Sequence, residues 1–420
     1  MKESELAWVG PIPPQWHRQP LKTLFHQHKE KNTGVVETNL LSLSYGRIVR
    51  RDINQRGGLL PESFESYNIV SDGDIVLRLT DLQNDQKSLR TGLVREKGII
   101  TSAYIILRAN YSVNTDYFQA LLESYDYKKV FYSMGGGVRQ GLNYDDISSL
   151  SLLVPPASEQ CSIAEFIYYK RTEIDWLIEK LRRQVELLER YRRELIAHTV
   201  THGLNPDAPM RDSGIDWIGD MPGHWHLVPM LAIFSLIRDL NASNESSNAL
   251  QFQEGKIVRK TEVHTSYSAD EETLSRYTLV QSGDIVINGL NLNYDFRTKR
   301  VAIVEEEGVI TSAYIAVRPK MTLWPEWVNY LLKAFDSMKI FHGLTEGVRK
   351  ILSWKDLRRF TLLVPPFSEQ QEIAEFLDAR TSEIDSTISN INKQIELLGK
   401  YRKQVINDAV TGKVRVEGTE

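Results

Sequence analysis

The sequence predicts an α+β fold in two repeated halves, each a domain of mixed α/β structure followed by one long coiled-coil helix. Three observations lead there. Residues 152–194 recur at 362–404 with a constant offset of 210 positions and no gap. Within both copies, apolar residues follow at steps of three, four and seven: Ile174, Ile178, Leu181, Val185, Leu188 and Leu195, matched by Ile384, Ile388, Ile391, Ile395, Leu398 and Val405. That spacing lays a narrow apolar seam along a helix whose other faces are charged. Such a seam needs a partner, and the chain carries one in its other copy. The repeat also extends far upstream of the helices, so each repeating unit is a domain plus a helix, too long for a solenoid element.

In chain order, the first domain is expected over residues 1–156. Trp8-Val9-Gly10, Pro13 and Trp16 open it and recur as Trp217-Ile218-Gly219, Pro222 and Trp225. Short β-branched runs at 75–77, 99–107 and 150–154, bounded by Gly, Asp and Asn, read as strands. A helical segment over 115–132 lies between the second and third. Pro155-Pro156 stops the last strand, since proline cannot donate to a ladder. Ser158 then stands where an N-cap would, with Glu159 in the first turn of a helix over 157–202. Residues 203–215, rich in Gly and Pro, form a linker. The second half follows the same plan: a domain over 216–366, Pro365-Pro366, Ser368 and Glu369, a helix over 367–412, and a tail over 413–420. A twofold arrangement of the halves would bring the end of the second helix, near Val410, back to the Trp8 box.

Composition narrows the function. The 51 basic and 55 acidic side chains leave a net charge of −4, which argues mildly against a stand-alone nucleic-acid binder. No run of eighteen apolar residues and no signal-peptide pattern is found, and Cys161, a single cysteine, reads as a tolerated surface thiol. A cytoplasmic protein without membrane association is expected. Catalytic motifs are missing: no phosphate-binding Gly-rich loop with Lys-Ser/Thr, no Gly-x-Ser-x-Gly elbow, no cysteine pairs for zinc. Asp85-Gln86-Lys87 and Glu254-Gly255-Lys256 resemble part of a nuclease site, but neither has a counterpart in the other half. His198 and His202 read as favourable neighbours of a helix carbonyl end rather than metal ligands. Neither catalysis nor a metal site is expected of this chain.

What remains is polar, basic and loop-borne. The first half offers Arg47, Arg50, Arg51 and Asn54, then Arg78, Thr80, Gln83, Asn84 and Lys87 with Arg90 beyond, then Gly136, Gly137, Arg139 and Gln140. The second offers Lys256, Arg259, Asn288, Asn291, Asn293, Tyr294, Arg297, Gly347, Arg349 and Lys350. Glycines let a backbone approach a phosphate, and Arg, Asn and Gln read base edges with two hydrogen bonds. Gly137-Val138-Arg139 is retained as Gly347-Val348-Arg349, whereas the stretch from Arg78 to Asn84 becomes Asn288-Gly289-Leu290-Asn291-Leu292-Asn293-Tyr294. One framework with two different polar loops suggests two recognition surfaces for two targets. Tyr104 and Tyr314 are expected in the core.

These features together resemble the specificity subunits of Type I restriction–modification enzymes. The resemblance covers essentially the whole chain and rests on the tryptophan boxes at Trp8–Trp16 and Trp217–Trp225, the two Leu-Leu-Val-Pro-Pro-x-Ser-Glu-Gln helix entries, and the Val200-Thr201 and Val410-Thr411-Gly412 exits. It implies two target-recognition domains, each reading half of a split site in double-stranded DNA, separated by two antiparallel helices. It also implies that chemistry lies elsewhere. Two methyltransferase subunits would carry S-adenosylmethionine, restriction subunits would use ATP and Mg2+, and no cofactor would bind this subunit. A coiled-coil adaptor with two protein-binding heads is the alternative.

Overall fold

The computed structural model describes residues 1–53, 63–83, 85, 89–134, 141–253, 255–260, 271–292, 299–344 and 351–416. Four helices recur below: α1 (Thr115–Tyr127), α2 (Ala157–His202), α3 (Pro325–Ser337) and α4 (Phe367–Val410). The chain divides into two compact units, residues 1–182 with 392–420, and residues 183–391. Each unit therefore owns a globular domain, the start of one long helix and the end of the other.

In the first unit a four-stranded antiparallel sheet runs, in spatial order, Phe25–Gln27, Ile105–Ala109, Ile75–Leu77 and Thr91–Leu93. Ile105 lies opposite Leu77, and Leu107 opposite Ile75. Because strand side chains alternate between faces, Ile75, Leu77, Ile105 and Leu107 pack with Trp16 and with Phe118 and Leu121 of α1. Val76 and Ile106 face the other way, against Leu41, Val70, Val94 and Ile100. Leu41 belongs to a hairpin of Leu41–Ser44 with Arg47–Arg50.

Two sequence expectations shift here. The strand expected over 99–107 is two strands, Gly98–Ile100 and Ile105–Ala109. Between them Tyr104 N–H donates to the Thr101 carbonyl at 3.2 Å and Ala103 N–H to Thr101 Oγ1 at 3.4 Å, a hydroxyl-supported turn that outcompetes the ladder. Tyr104 and Tyr314 consequently sit half-buried at the edges of their clusters. The helix expected over 115–132 ends at Tyr127, because Lys129 adopts a left-handed φ of 60° and a separate 3₁₀ turn, Val130–Ser133, follows.

The start of α2 is also built differently from expectation. Ser158 is its second residue, not its cap: the Pro156 carbonyl already accepts from Gln160 N–H at 3.0 Å, so the helix follows the proline pair directly. The Ser-Glu-Gln signature instead fastens the helix to its domain. Glu159 accepts from Trp16 Nε1 at 2.6 Å and from Gln15 Nε2 at 2.9 Å. Gln160 donates to the Pro155 carbonyl at 3.0 Å and accepts from Asn114 N–H, at the cap of α1, at 3.3 Å. The same tryptophan receives the far end of α4. A Cβ on Gly412, whose φ is +69°, would lie 2.4 Å from Pro13 Cδ and 3.3 Å from the Trp16 ring. Ile406, Ala409, Val410 and Val416 join Leu6 and Val9 in one core. Since α2 begins and α4 ends at Trp16, the two segments run antiparallel, linked by Arg402 to Asp175 at 2.7 Å.

The second unit repeats this plan. Its sheet runs Phe234–Leu236, Ile315–Pro319, Ile285–Ile287 and Val301–Ile303. Ser368 is again the second residue of its helix. Glu369 accepts from Trp225 at 3.0 Å and His224 at 2.8 Å, and Gln370 donates to the Pro365 carbonyl at 2.9 Å. Gly203, ending α2, packs against Trp225, and Arg192 pairs with Asp385 at 2.9 Å. Asp385 is the counterpart of Asp175 and Arg192 that of Arg402, so each unit holds the same helix pairing with the donor helices exchanged. Along both helices the seam residues are buried or half-buried between exposed neighbours. At the end of α2, His198 and His202 stack at 4.5 Å, and burial together with His198 holds the His202 pKa below its usual value.

Candidate nucleic-acid interface

Described residues that flank the segments singled out in the sequence come together within each unit. Leu142 N–H donates to the Leu79 carbonyl at 2.8 Å, tying the exit of the glycine-rich segment to the loop after Ile75–Leu77. Leu352 N–H to the Gly289 carbonyl at 2.9 Å does the same in the second unit. The hairpin adjoins this loop. Gly46 packs on Leu89, and a Cβ on Gly92 would lie 2.6 Å from Leu43 Cδ1, so that strand must pass bare beneath the hairpin.

The predicted contact residues occupy varied positions on this surface. Arg51, Thr80, Gln83 and Lys256 are exposed. Arg47 is exposed but donates to Asp175 on α2 at 2.6 Å. Arg50 chelates Glu96 at 2.8 and 2.9 Å, and Arg259 chelates Glu306 at 3.0 and 3.1 Å, so these two basic residues brace equivalent hairpins. Each carboxylate raises the pKa of its arginine. Arg78 is half-buried, 3.6 Å from Asp85. Asn288 turns its Oδ1 back to accept from Leu290 N–H at 3.1 Å. Asn291 is exposed with φ +59°, as Asp81 is with φ +57° at the matching position; Asp and Asn tolerate that conformation best after glycine. Asn54, Asn84, Lys87, Gly136, Gly137, Arg139, Gln140, Asn293, Tyr294, Arg297, Gly347, Arg349 and Lys350 lie outside the described residues.

Arg90 requires a correction. Sequence reasoning grouped it with the basic surface, yet its side chain is 0 % exposed. Its guanidinium points into the loop, donating to the carbonyls of Thr80 at 2.7 Å, Asp81 at 3.3 Å and Asp85. Its Nε lies 3.4 Å from Tyr132 Oη, and its backbone N–H donates to buried Asp126 at 2.8 Å. Arg300 repeats the arrangement on the carbonyls of Asn288 at 3.1 Å and Leu290 at 2.6 Å, with its N–H on Asp336 at 2.9 Å. Burial pushes the Asp126 carboxyl up to about 6 despite the Arg90 N–H, and raises Asp336 likewise. Beneath lies a second shared device. Asp74 accepts from Arg108 at 2.8 and 2.7 Å and from Ser71 N–H at 2.8 Å, and Asp284 does so from Arg318 and Gln281. The signal was present in the sequence, since Arg90/Arg300 and Asp126/Asp336 recur at offset 210 beside loops that do not.

Comparison with known proteins now bears on this architecture. Residues 265–397 match the family model for the Type I restriction modification DNA specificity domain. Two relatives come from Methanocaldococcus jannaschii. The type I restriction enzyme MjaVIII specificity subunit is 24% identical over 83% of this chain and 81% of its own, and the specificity subunit assigned to MjaX is 22% identical over 97% and 96%. A chain from a structure of the type I R-M system, described for its complex assembly and conformational transition, superposes with a TM-score of 0.66 at 15% identity, covering 96% of this chain and all of that one. Over nearly its whole length the chain is similar to type I specificity subunits. The HsdS subunit from Thermoanaerobacter tengcongensis gives a TM-score of 0.51 at 16% identity, covering 96% and 98%. A specificity subunit is the non-catalytic, DNA-recognising member of its complex. Among the described residues, no helix is long and apolar enough to cross a membrane.

Proposed function

We propose that each unit of this specificity subunit reads one half of a bipartite, asymmetric site in double-stranded DNA. The helices α2 and α4 set the gap between the half-sites and dock two methyltransferase subunits. S-adenosylmethionine, ATP and Mg2+ belong to those and to the restriction subunits, and the assembly works in the cytoplasm. One observation carries the reading: a shared frame of Asp74–Arg108 and Asp284–Arg318, with buried Arg90 and Arg300, supports exposed loops that differ between the units. A frame held constant beneath a surface that varies is what reading two different half-sites requires.

Replacing residues 1–156 by the corresponding part of a relative tests this. With the host methyltransferase subunits, the methylated sequence should change in one half and keep the other half and the gap. Binding should also weaken steeply with salt through counterion release. A chimaera that methylates the parental site unchanged, or a complex without site-selective DNA binding, overturns the reading and favours an adaptor.

A further inference from the structure

We infer that Arg90 and Arg300 are positioning residues for sequence recognition: each fixes the carbonyl path of one reading loop, so that the base preference of that half-site depends on a side chain that cannot touch DNA. The inference rests on the reading above and concerns how the loops hold their shape. An arginine fully withdrawn from solvent cannot neutralise a phosphate or reach a base edge, and it tolerates burial only when its donors are satisfied. Arg90 is satisfied by the loop itself. Thr80, Asp81 and Asp85 converge their carbonyls on one guanidinium. Asp81, at the centre of that set, holds a left-handed φ of +57°, and its own carbonyl also accepts from Asp85 N–H at 3.2 Å. The carbonyls of Thr80, Asp81 and Asp85 thus turn inward to the cation, while the Thr80 and Gln83 residues are exposed.

The second unit gives an independent instance. Arg300 gathers the carbonyls of Asn288 and Leu290, and Asn291 takes the left-handed φ of +59°. Apart from this arginine the loops have little sequence in common, yet the bonds fall on equivalent carbonyls: those of residues 80 and 290 at 2.7 and 2.6 Å. The hydrogen bonds described from Arg90 and Arg300 into the loops all go to backbone carbonyls, so this part of the clamp does not require particular loop side chains. That allows the reading residues to vary while the loop geometry stays fixed. Five donors in a rigid fork serve this purpose where the single ammonium of lysine cannot span the set.

The test uses the full-length chain with its methyltransferase subunits, and reads the methylated sequences selected from a randomised duplex library. Arg90→Ala should relax the half-site read by the first unit, by about tenfold at one or more base positions, and leave the other half unchanged. Arg300→Ala should do the converse. Arg90→Lys, which keeps the charge and part of the donor set, should restore folding if alanine prevents it and still show relaxed choice in that half. A merely structural role would lower the melting temperature and overall methylation without altering base preference, and that result overturns the inference. Unchanged preference with unchanged melting also overturns it. If the 1–156 chimaera fails to redirect methylation, the parent reading falls; if it succeeds while Arg90→Ala and Arg90→Lys leave preference intact, the positioning role alone falls.

Discussion

Two positions related by the repeat, Glu123 in the first unit and Lys333 in the second, show how far the halves have parted on a shared frame. Glu123 is buried on α1, accepts from Arg171 at 2.6 Å, and meets Gln119 and Tyr127 as well. Lys333 occupies the same site on α3 among Lys299, Arg192 and Lys256, and burial first, then those cations, push it down to about 8. The partner changes with it: Arg171 becomes Thr381, which bonds Tyr330. An acid–base pair in one unit has been replaced by a group of cations in the other, while the tryptophan box and sheet register are unchanged. The repeat preserves what locks helix to domain and arginine to loop, while positions such as 123 and 333 and the loop surfaces differ.

The largest expected effect concerns completeness. The first core contains Ile406, Ala409 and Val410, which lie at the end of α4. Their counterparts in the first half are Ile196, Thr199 and Val200. A chain of residues 1–214 therefore lacks part of its own core but carries near-equivalents to lend to a second copy. It should exist as a dimer with no folded monomer, and light scattering should report twice the chain mass. A folded monomer would show that the helix ends are not interchangeable.

Next in size are the ion pairs of the buried carboxylates Asp74 and Asp284. Asp74→Ala removes the partner of half-buried Arg108 and should lower stability by about 1.5–3 kcal/mol, and Asp284→Ala should do the same through Arg318. If the units unfold separately, calorimetry should show each substitution moving one transition and not the other.

Asp126 gives a pH-dependent contrast. Its folded value of about 6 lies above the 3.8 of an ordinary aspartate, so the folded state binds the extra proton. Its contribution is fully present below about pH 4 and lost as pH rises through 6, about 2–3 kcal/mol at most by linkage. Asp126→Asn should remove that slope. The melting-temperature difference between variant and parent should therefore move in favour of the variant between pH 4.5 and 7.5, and a constant difference would refute the shift.

Smaller still are the surface pairs. Asp175 takes both Arg47 and Arg402, at 2.6 and 2.7 Å, while Asp385 takes Arg192 at 2.9 Å. Asp175→Ala should destabilise by about 1 kcal/mol and Asp385→Ala by less, both fading in high salt. Equal effects in a denaturant series would mean that the second arginine adds nothing.

By itself the sequence determined the repeat, the two long helices and the strands at Ile75–Leu77 and Ser151–Val154, because periodicity and proline stops act locally along the chain. It also marked the loops that differ between halves. It could not decide what each polar residue does. Arg50, Arg78 and Arg90 all read as basic loop residues; tertiary structure set one on Glu96, one beside Asp85 and one wholly inside a loop. Nor did Ser-Glu-Gln reveal that its glutamate holds Trp16, 143 positions away, rather than answering a helix dipole. Charge and capping propensity belong to a residue and its neighbours in sequence, whereas burial and partnership arise from groups brought together by the fold, and these decide whether an arginine stays at the surface or is drawn inside a loop.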